Sequence, residues 1–114
     1  MSDCIFCDIA QKQTRSKIIY ETEEFIVIEN IDPQAPFHVL VMPKKHIEKT
    51  DAISGRAGDH FWNKMISVCN EVIKKEGLDK TGYRLVNNGA GYNGIAHEHM
   101  HILGGSGWKP KDNL

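Results

Sequence analysis

Apolar and polar positions along the chain change period three times. Near the N-terminus, Phe6 and Ile9 are spaced for one side of a short helix ending near Gln13. Ile18 to Glu21 and Phe25 to Ile31 then read as two strands, joined by a turn at Glu21-Thr22-Glu23-Glu24. Asp32-Pro33-Gln34-Ala35-Pro36 reads as a second turn, and the β-rich run His38-Val39-Leu40-Val41-Met42 as a third strand stopped by Pro43. From about Gly58 the spacing lengthens: Phe61, Met65, Val68 and Val72 recur at helical intervals, Lys74 and Lys75 suit a last turn, and Gly77 suits the stop. Tyr83 to Asn87 and His97 to Leu103 return to strand character. Mostly strands with one long helix is an α+β pattern, with the helix expected to cover one sheet face.

A chain of 114 residues supports one core, and no repeat, low-complexity tract or linker divides it, so a single domain over 1–114 is expected. A net charge of -1 with 25% charged residues lacks the basic excess that nucleic-acid backbones call for. No run approaches the ~20 apolar residues of a membrane span, and the N-terminus lacks a basic segment followed by an apolar one, so no membrane role and a cytoplasmic location are expected. The cysteines are Cys4, Cys7 and Cys69. An odd count with a close C-x-x-C pair fits metal binding or redox chemistry better than a disulfide framework. Cys69, within the helix, reads as a small buried hydrophobe.

Three of the six histidines alternate in Ala96-His97-Glu98-His99-Met100-His101-Ile102-Leu103-Gly104-Gly105. On a strand, His97, His99 and His101 share one face while Glu98, Met100 and Ile102 take the other. Imidazole is a common zinc ligand, but residues two apart on a strand lie about 6–7 Å from each other, so converging all three on one ion strains the geometry. Nucleophilic chemistry fits better: a neutral imidazole attacks phosphorus and leaves a phosphorus–nitrogen bond that water later cleaves. Such a histidine needs one ring nitrogen free and the other held, with its neighbours donating to phosphate oxygens. The loop from Gly89 to Gly94 precedes the strand and suits backbone N–H donation to a phosphate. A lone His60 on the helix reads as solvated or at the core edge.

The H-x-H-x-H run followed by Ile102-Leu103-Gly104-Gly105 resembles the signature of the histidine triad (HIT) superfamily. Cys4-Ile5-Phe6-Cys7, Ile18-Ile19-Tyr20-Glu21, Asp32-Pro33-Gln34-Ala35-Pro36, His38 and Val41-Met42-Pro43-Lys44-Lys45-His46-Ile47 resemble its nucleotide-binding Hint branch in the same order, over nearly the whole chain. The resemblance implies an antiparallel α+β meander, a homodimer, and a hydrolase of purine nucleoside phosphoramidates working through a nucleotidyl-histidine. Cleavage of dinucleoside polyphosphates through the same intermediate, and a nucleotide-binding or scaffold protein with incidental turnover, are the alternatives.

By position, the resemblance makes His99 the nucleophile and puts His38 and His101 in the catalytic pocket. It sets Asn30 and Ile31 at the ribose, Asn87, Gly94 and Ile95 near the phosphate, and Phe6, Ile9 and Ile28 against the base. It also implies a structural zinc held by Cys4, Cys7, His46 and His97, leaving His99 free, and no organic cofactor. Trp108 and the tail match a segment that reaches the partner subunit's pocket. Three positions depart from the family pattern: Asn30 replaces an aspartate that accepts ribose hydroxyls, Gly94 replaces a serine near the leaving group, and Glu98 replaces an apolar residue. A buried acid without a partner is costly, so Glu98 is expected to be paired or near the sheet edge.

Overall fold

The computed structural model describes residues 3–112; the outermost residues of the expected 1–114 domain, including the end of the tail expected at a partner subunit, lie outside them. α1 (Ile5–Ala10) leads into β1 (Ile18–Glu21), β2 (Phe25–Glu29) and β3 (Phe37–Pro43). Then come α2 (Lys49–Ser54), α3 (Phe61–Lys75), α4 (Leu78–Thr81), β4 (Tyr83–Val86) and β5 (Met100–Gly104). All neighbouring strands are antiparallel in the order β1-β2-β3-β5-β4. The first three form a meander, and β5 inserts between β3 and β4.

Alternation along the central strands divides the core into two layers. Phe25 and Val27, Val39 and Val41, and Met100 and Ile102 face α3, where they pack with Phe61, Met65, Val68, Cys69, Val72 and Ile73. The intervening Ile26, Ile28, Leu40 and Met42 face the opposite way and pack with Phe6 and Ile9 of α1. Burying each large apolar side chain contributes about 1.5–3 kcal/mol, so the long helix carries most of the stabilisation and α1 a smaller share. Cys69 is fully buried and burial pushes its thiol up to about 11, as an inert hydrophobe requires. The two glycines after the histidine run have steric reasons. A Cβ on Gly104 would lie 2.7 Å from the Gly82 carbonyl, and Gly105 has φ +117 with Pro36 2.9 Å from a would-be Cβ.

Several boundaries differ from the sequence expectation. β2 stops at Glu29 rather than Ile31, because the Asn30 side chain accepts from the Asp32 N–H at 2.9 Å and turns the chain, leaving Ile31 fully exposed. β3 begins at Phe37 and includes Pro43, paired opposite Phe25. α1 closes at Ala10, short of Gln13, and α3 runs Phe61–Lys75 inside the expected Gly58 to Gly77 span, with His60 exposed at its N-cap. β5 begins at Met100, not His97: His97 makes only an isolated bridge to Glu48. α2 and α4 were not expected.

Candidate active site

His97, His99 and His101 do share a face, the one that carries α1. The Phe6 ring meets His97 and His99 edge-on, with centroids 5.7 and 5.1 Å away, and the His99 and His101 rings are 5.3 Å apart. β3 brings His38 to the same group, its ring 5.1 Å from that of His101. His38, His97 and His99 are buried, and His101 is half-buried.

The acceptors around these rings set their tautomers. His99 Nδ1 is 2.9 Å from the His97 carbonyl, which can only accept, so Nδ1 carries the proton and Nε2 keeps a lone pair. Nε2 has no hydrogen-bond partner among the described residues. The Gln34 backbone N–H donates to His38 Nδ1 at 3.0 Å, so the His38 proton is on Nε2, from which it is donated to His101 Nδ1 at 2.9 Å. The His101 proton is thereby placed on Nε2. Asn30 Nδ2 lies 3.3 Å from His38 Nε2, a contact between two donors. Burial, followed by the charges of His99 and His38, pushes His101 down to about 4, and burial also lowers His38 against the opposing pull of Asp32. Both rings are therefore neutral at pH 7, as the directed chain requires.

The expected nucleotide positions are distributed around this group. Asn30 and Ile31 leave the end of β2, Ile31 projecting wholly into solvent. Gly94, in the left-handed region at φ +69, and Ile95 approach from the glycine-rich loop, with Ile95 packed on the α1 layer. Phe6, Ile9 and Ile28 are core residues of that layer. Asn87 turns its side chain inward: Nδ2 donates to the His99 carbonyl at 3.1 Å.

A second cluster adjoins the first. Cys4, Cys7, His46 and His97 present four ligand atoms that all lie within 4.8 Å of one another. His97 Nε2 donates to the Pro43 carbonyl at 2.7 Å, so its Nδ1 lone pair faces Cys4 Sγ at 3.3 Å and Cys7 Sγ at 3.5 Å. His46 Nδ1 is 3.3 Å from Cys7 Sγ, while its Nε2 is held 2.9 Å from Glu48 Oε2. Sulfur–nitrogen separations of about 3.5 Å are the edges of a tetrahedron around an ion with bonds of about 2.3 and 2.0 Å. The donor set and the outer carboxylate on His46 fit a four-coordinate metal ion. Burial, then the neighbouring Cys4, pushes the Cys7 thiol up to about 11. At Cys4, burial acts upward but hydrogen bonds from Cys7 and His46 outweigh it, holding the thiol below its ordinary value.

Glu98, the acid in the run, is buried on the opposite face and has partners: Lys49 Nζ is 2.6 Å from Oε2, and the His99 N–H donates to Oε1 at 2.9 Å. Lys49 and Glu48 carry no sequence signal that separates them from surface charges. Their roles depend on α2, whose six residues bury only Ala52 and so show no apolar stripe.

The HIT domain family model matches residues 11–107. A purine nucleoside phosphoramidase of Escherichia coli strain K12 is 32% identical over 105 residues, covering 90% of this chain and 87% of that protein. Among solved structures, a HIT family hydrolase from Clostridium thermocellum superimposes with a TM-score of 0.84 at 35% identity, covering 97% of each chain. A zinc-bound histidine triad family protein from Mycobacterium smegmatis gives 0.75 at 27% identity, covering 90% of this chain and 74% of that one. The fold and histidine cluster thus define a histidine triad protein, and the chain belongs to the HIT family. Among the described residues, no helix is long and apolar enough to cross a membrane.

Proposed function

We propose that this chain is a hydrolase of purine nucleoside phosphoramidates that works through a nucleotidyl-histidine on His99. The observation carrying this reading is the tautomer of His99: Nδ1–H is bound to the His97 carbonyl, so an unengaged Nε2 lone pair stands beside the neutral rings of His101 and His38. Similarity to the Escherichia coli phosphoramidase supports the substrate class.

In the proposed reaction His99 Nε2 attacks the α-phosphorus. The bond from phosphorus to the amine nitrogen breaks, and the amine leaves with the electron pair and takes up a proton from water, which the later attack of water on phosphorus returns. The Nε2–H of His101 donates to a phosphate oxygen, and His38 keeps that proton on Nε2 by donating to Nδ1. Water then attacks the same phosphorus, the phosphorus–nitrogen bond to His99 breaks, and nucleoside monophosphate is released. Asn30 and Ile31 hold the ribose side, Gly94 and Ile95 flank the phosphate with Asn87 behind the nucleophile, and Phe6, Ile9 and Ile28 back the base.

Zinc is the ion we assign to Cys4, Cys7, His46 and His97: two thiolates and two imidazoles in a closed tetrahedral set suit it, and a zinc-bound relative shares the fold. Four protein ligands leave no position for substrate, so the ion would pin α1 to the sheet. The active form we propose is a cytoplasmic homodimer.

The test is mass spectrometry of protein quenched during turnover of an adenosine phosphoramidate, together with kinetics of His99→Ala. A nucleotidyl adduct on His99 and a loss of at least about 10⁴-fold in kcat are expected. Unchanged hydrolysis by His99→Ala would overturn the assignment. Nucleotide binding without product would favour a binding protein.

A further inference from the structure

Pairing of β5 starts at Met100 against Val41 on one side and at His101 against Val86 on the other. The peptide groups of His99 therefore lie outside both ladders, and side chains hold them instead. Glu98 Oε1 accepts from the His99 N–H at 2.9 Å. Asn87 Nδ2 donates to the His99 carbonyl at 3.1 Å and to Glu98 Oε1 at 3.4 Å. Lys49 Nζ lies 2.6 Å from Glu98 Oε2, donates to Asn87 Oδ1, and sits 5.3 Å from the centre of the Trp62 ring. The lysine approaches Oε2 off the hydrogen-bonding direction, so this oxygen is answered by charge alone.

The Glu98 side chain is 1% exposed and that of Lys49 14%. Withdrawing such a pair from water is costly, and apolar residues of similar volume commonly match it in stability. An apolar side chain at position 98 cannot, however, accept the buried His99 N–H. The pair is thus better explained by what it holds than by what it adds to the fold.

We propose that Lys49, Glu98 and Asn87 are positioning residues that fix the His99 peptide, and through it the ring, so that Nε2 stays aimed at the reacting phosphorus. Glu98 takes the N–H, Asn87 takes the carbonyl, and Lys49 orients both acceptor groups from behind. The inference rests on His99 being the nucleophile. A displacement of about 1 Å at a reacting atom is enough to lower a rate on the order of 100-fold.

Two double variants separate positioning from plain structure. Lys49→Met/Glu98→Leu and Lys49→Met/Glu98→Gln both remove the charge pair, but only the second keeps an acceptor for the His99 N–H. The Gln variant is expected to melt near the parent, and the Leu variant a few degrees lower because its buried His99 N–H is left unpaired. The Leu variant is expected to lose roughly tenfold to hundredfold in kcat with KM within about twofold, and the Gln variant to recover most of it. Nitrogen-15 NMR of the His99 ring should show one tautomer in the parent and the Gln variant, and a mixture in the Leu variant. Equal kcat in both double variants, or a single tautomer throughout, overturns the proposal. If the Leu variant does not fold, Asn87→Ala at an exposed position reads the same peptide, and unchanged kcat and tautomer there overturn it too. Should His99→Ala keep its activity, the nucleophile reading falls while the NMR arm still decides whether these residues hold the ring.

Discussion

His101 binds its proton only near pH 4, because burial and the neighbouring His99 and His38 disfavour its charged form. In an unfolded chain the same side chain titrates near 6.5. The folded state therefore binds fewer protons between these values, and stability falls as pH drops from about 6.5 toward 4; above 6.5 this group exerts no pH dependence. His38, also lowered by burial, adds a contribution of the same sign. Melting temperature should decline across that window, and His101→Asn should make the slope shallower; an equal slope would show that His101 does not titrate as described. The three alternating histidines were legible in the sequence because a strand puts every second residue on one face, and the structure keeps that alternation even where regular pairing has stopped. The partners of His99 were not. Lys49, Asn87 and Glu98 are far apart along the chain or adjacent to the wrong face, and nothing in residue type shows that they meet.

At the level of elements, α1 cannot be stable by itself, since a helix of six residues falls well short of the length that isolated helices require. It is held by Phe6 and Ile9 in the α1 layer and by Cys4 and Cys7 beside His46 and His97. Phe6→Ala should cost about 3–5 kcal/mol, read as a lower denaturant midpoint, and should slow hydrolysis as well because the ring packs on His99. A chelator, by stripping the proposed zinc, should lower the melting temperature by at least about 5 °C and increase amide exchange in α1 first; Cys7→Ser should melt like the chelated protein and no longer respond to chelator. A chelator-insensitive parent would return these cysteines to ordinary thiols. The five strands and α3 were readable because burial imposes a period of two or of 3.6. α2 was hidden because capping, not an apolar stripe, defines it: Glu48 and Asp51 cap its start and Gly55 ends it in the left-handed region. α4 has only Leu78 buried, and the pattern from His97 to Leu103 reads as one strand although β5 starts at Met100, because alternation persists where Glu98 and Asn87 have replaced the ladder.

The molecule as a whole ends in two sheet edges, and they differ. β1 carries a register irregularity between Ile18 and Tyr20, a feature that twists an edge away from further pairing. β4 pairs regularly with β5 through all four residues, and Tyr83 at its start is 48% exposed. An open, regular edge with an exposed aromatic suits antiparallel pairing with its own copy about a twofold axis, which would join two sheets and satisfy both edges at once. Light scattering should accordingly give twice the chain mass at micromolar concentration. Tyr83→Lys, which places a charge on that edge, should shift the population toward monomer without lowering the stability of the single chain by more than about 1 kcal/mol. A parent that stays monomeric at 100-fold higher concentration would remove the dimer from the proposed function, whereas a dimer unaffected by Tyr83→Lys would move the interface to another surface and leave the β4 edge open.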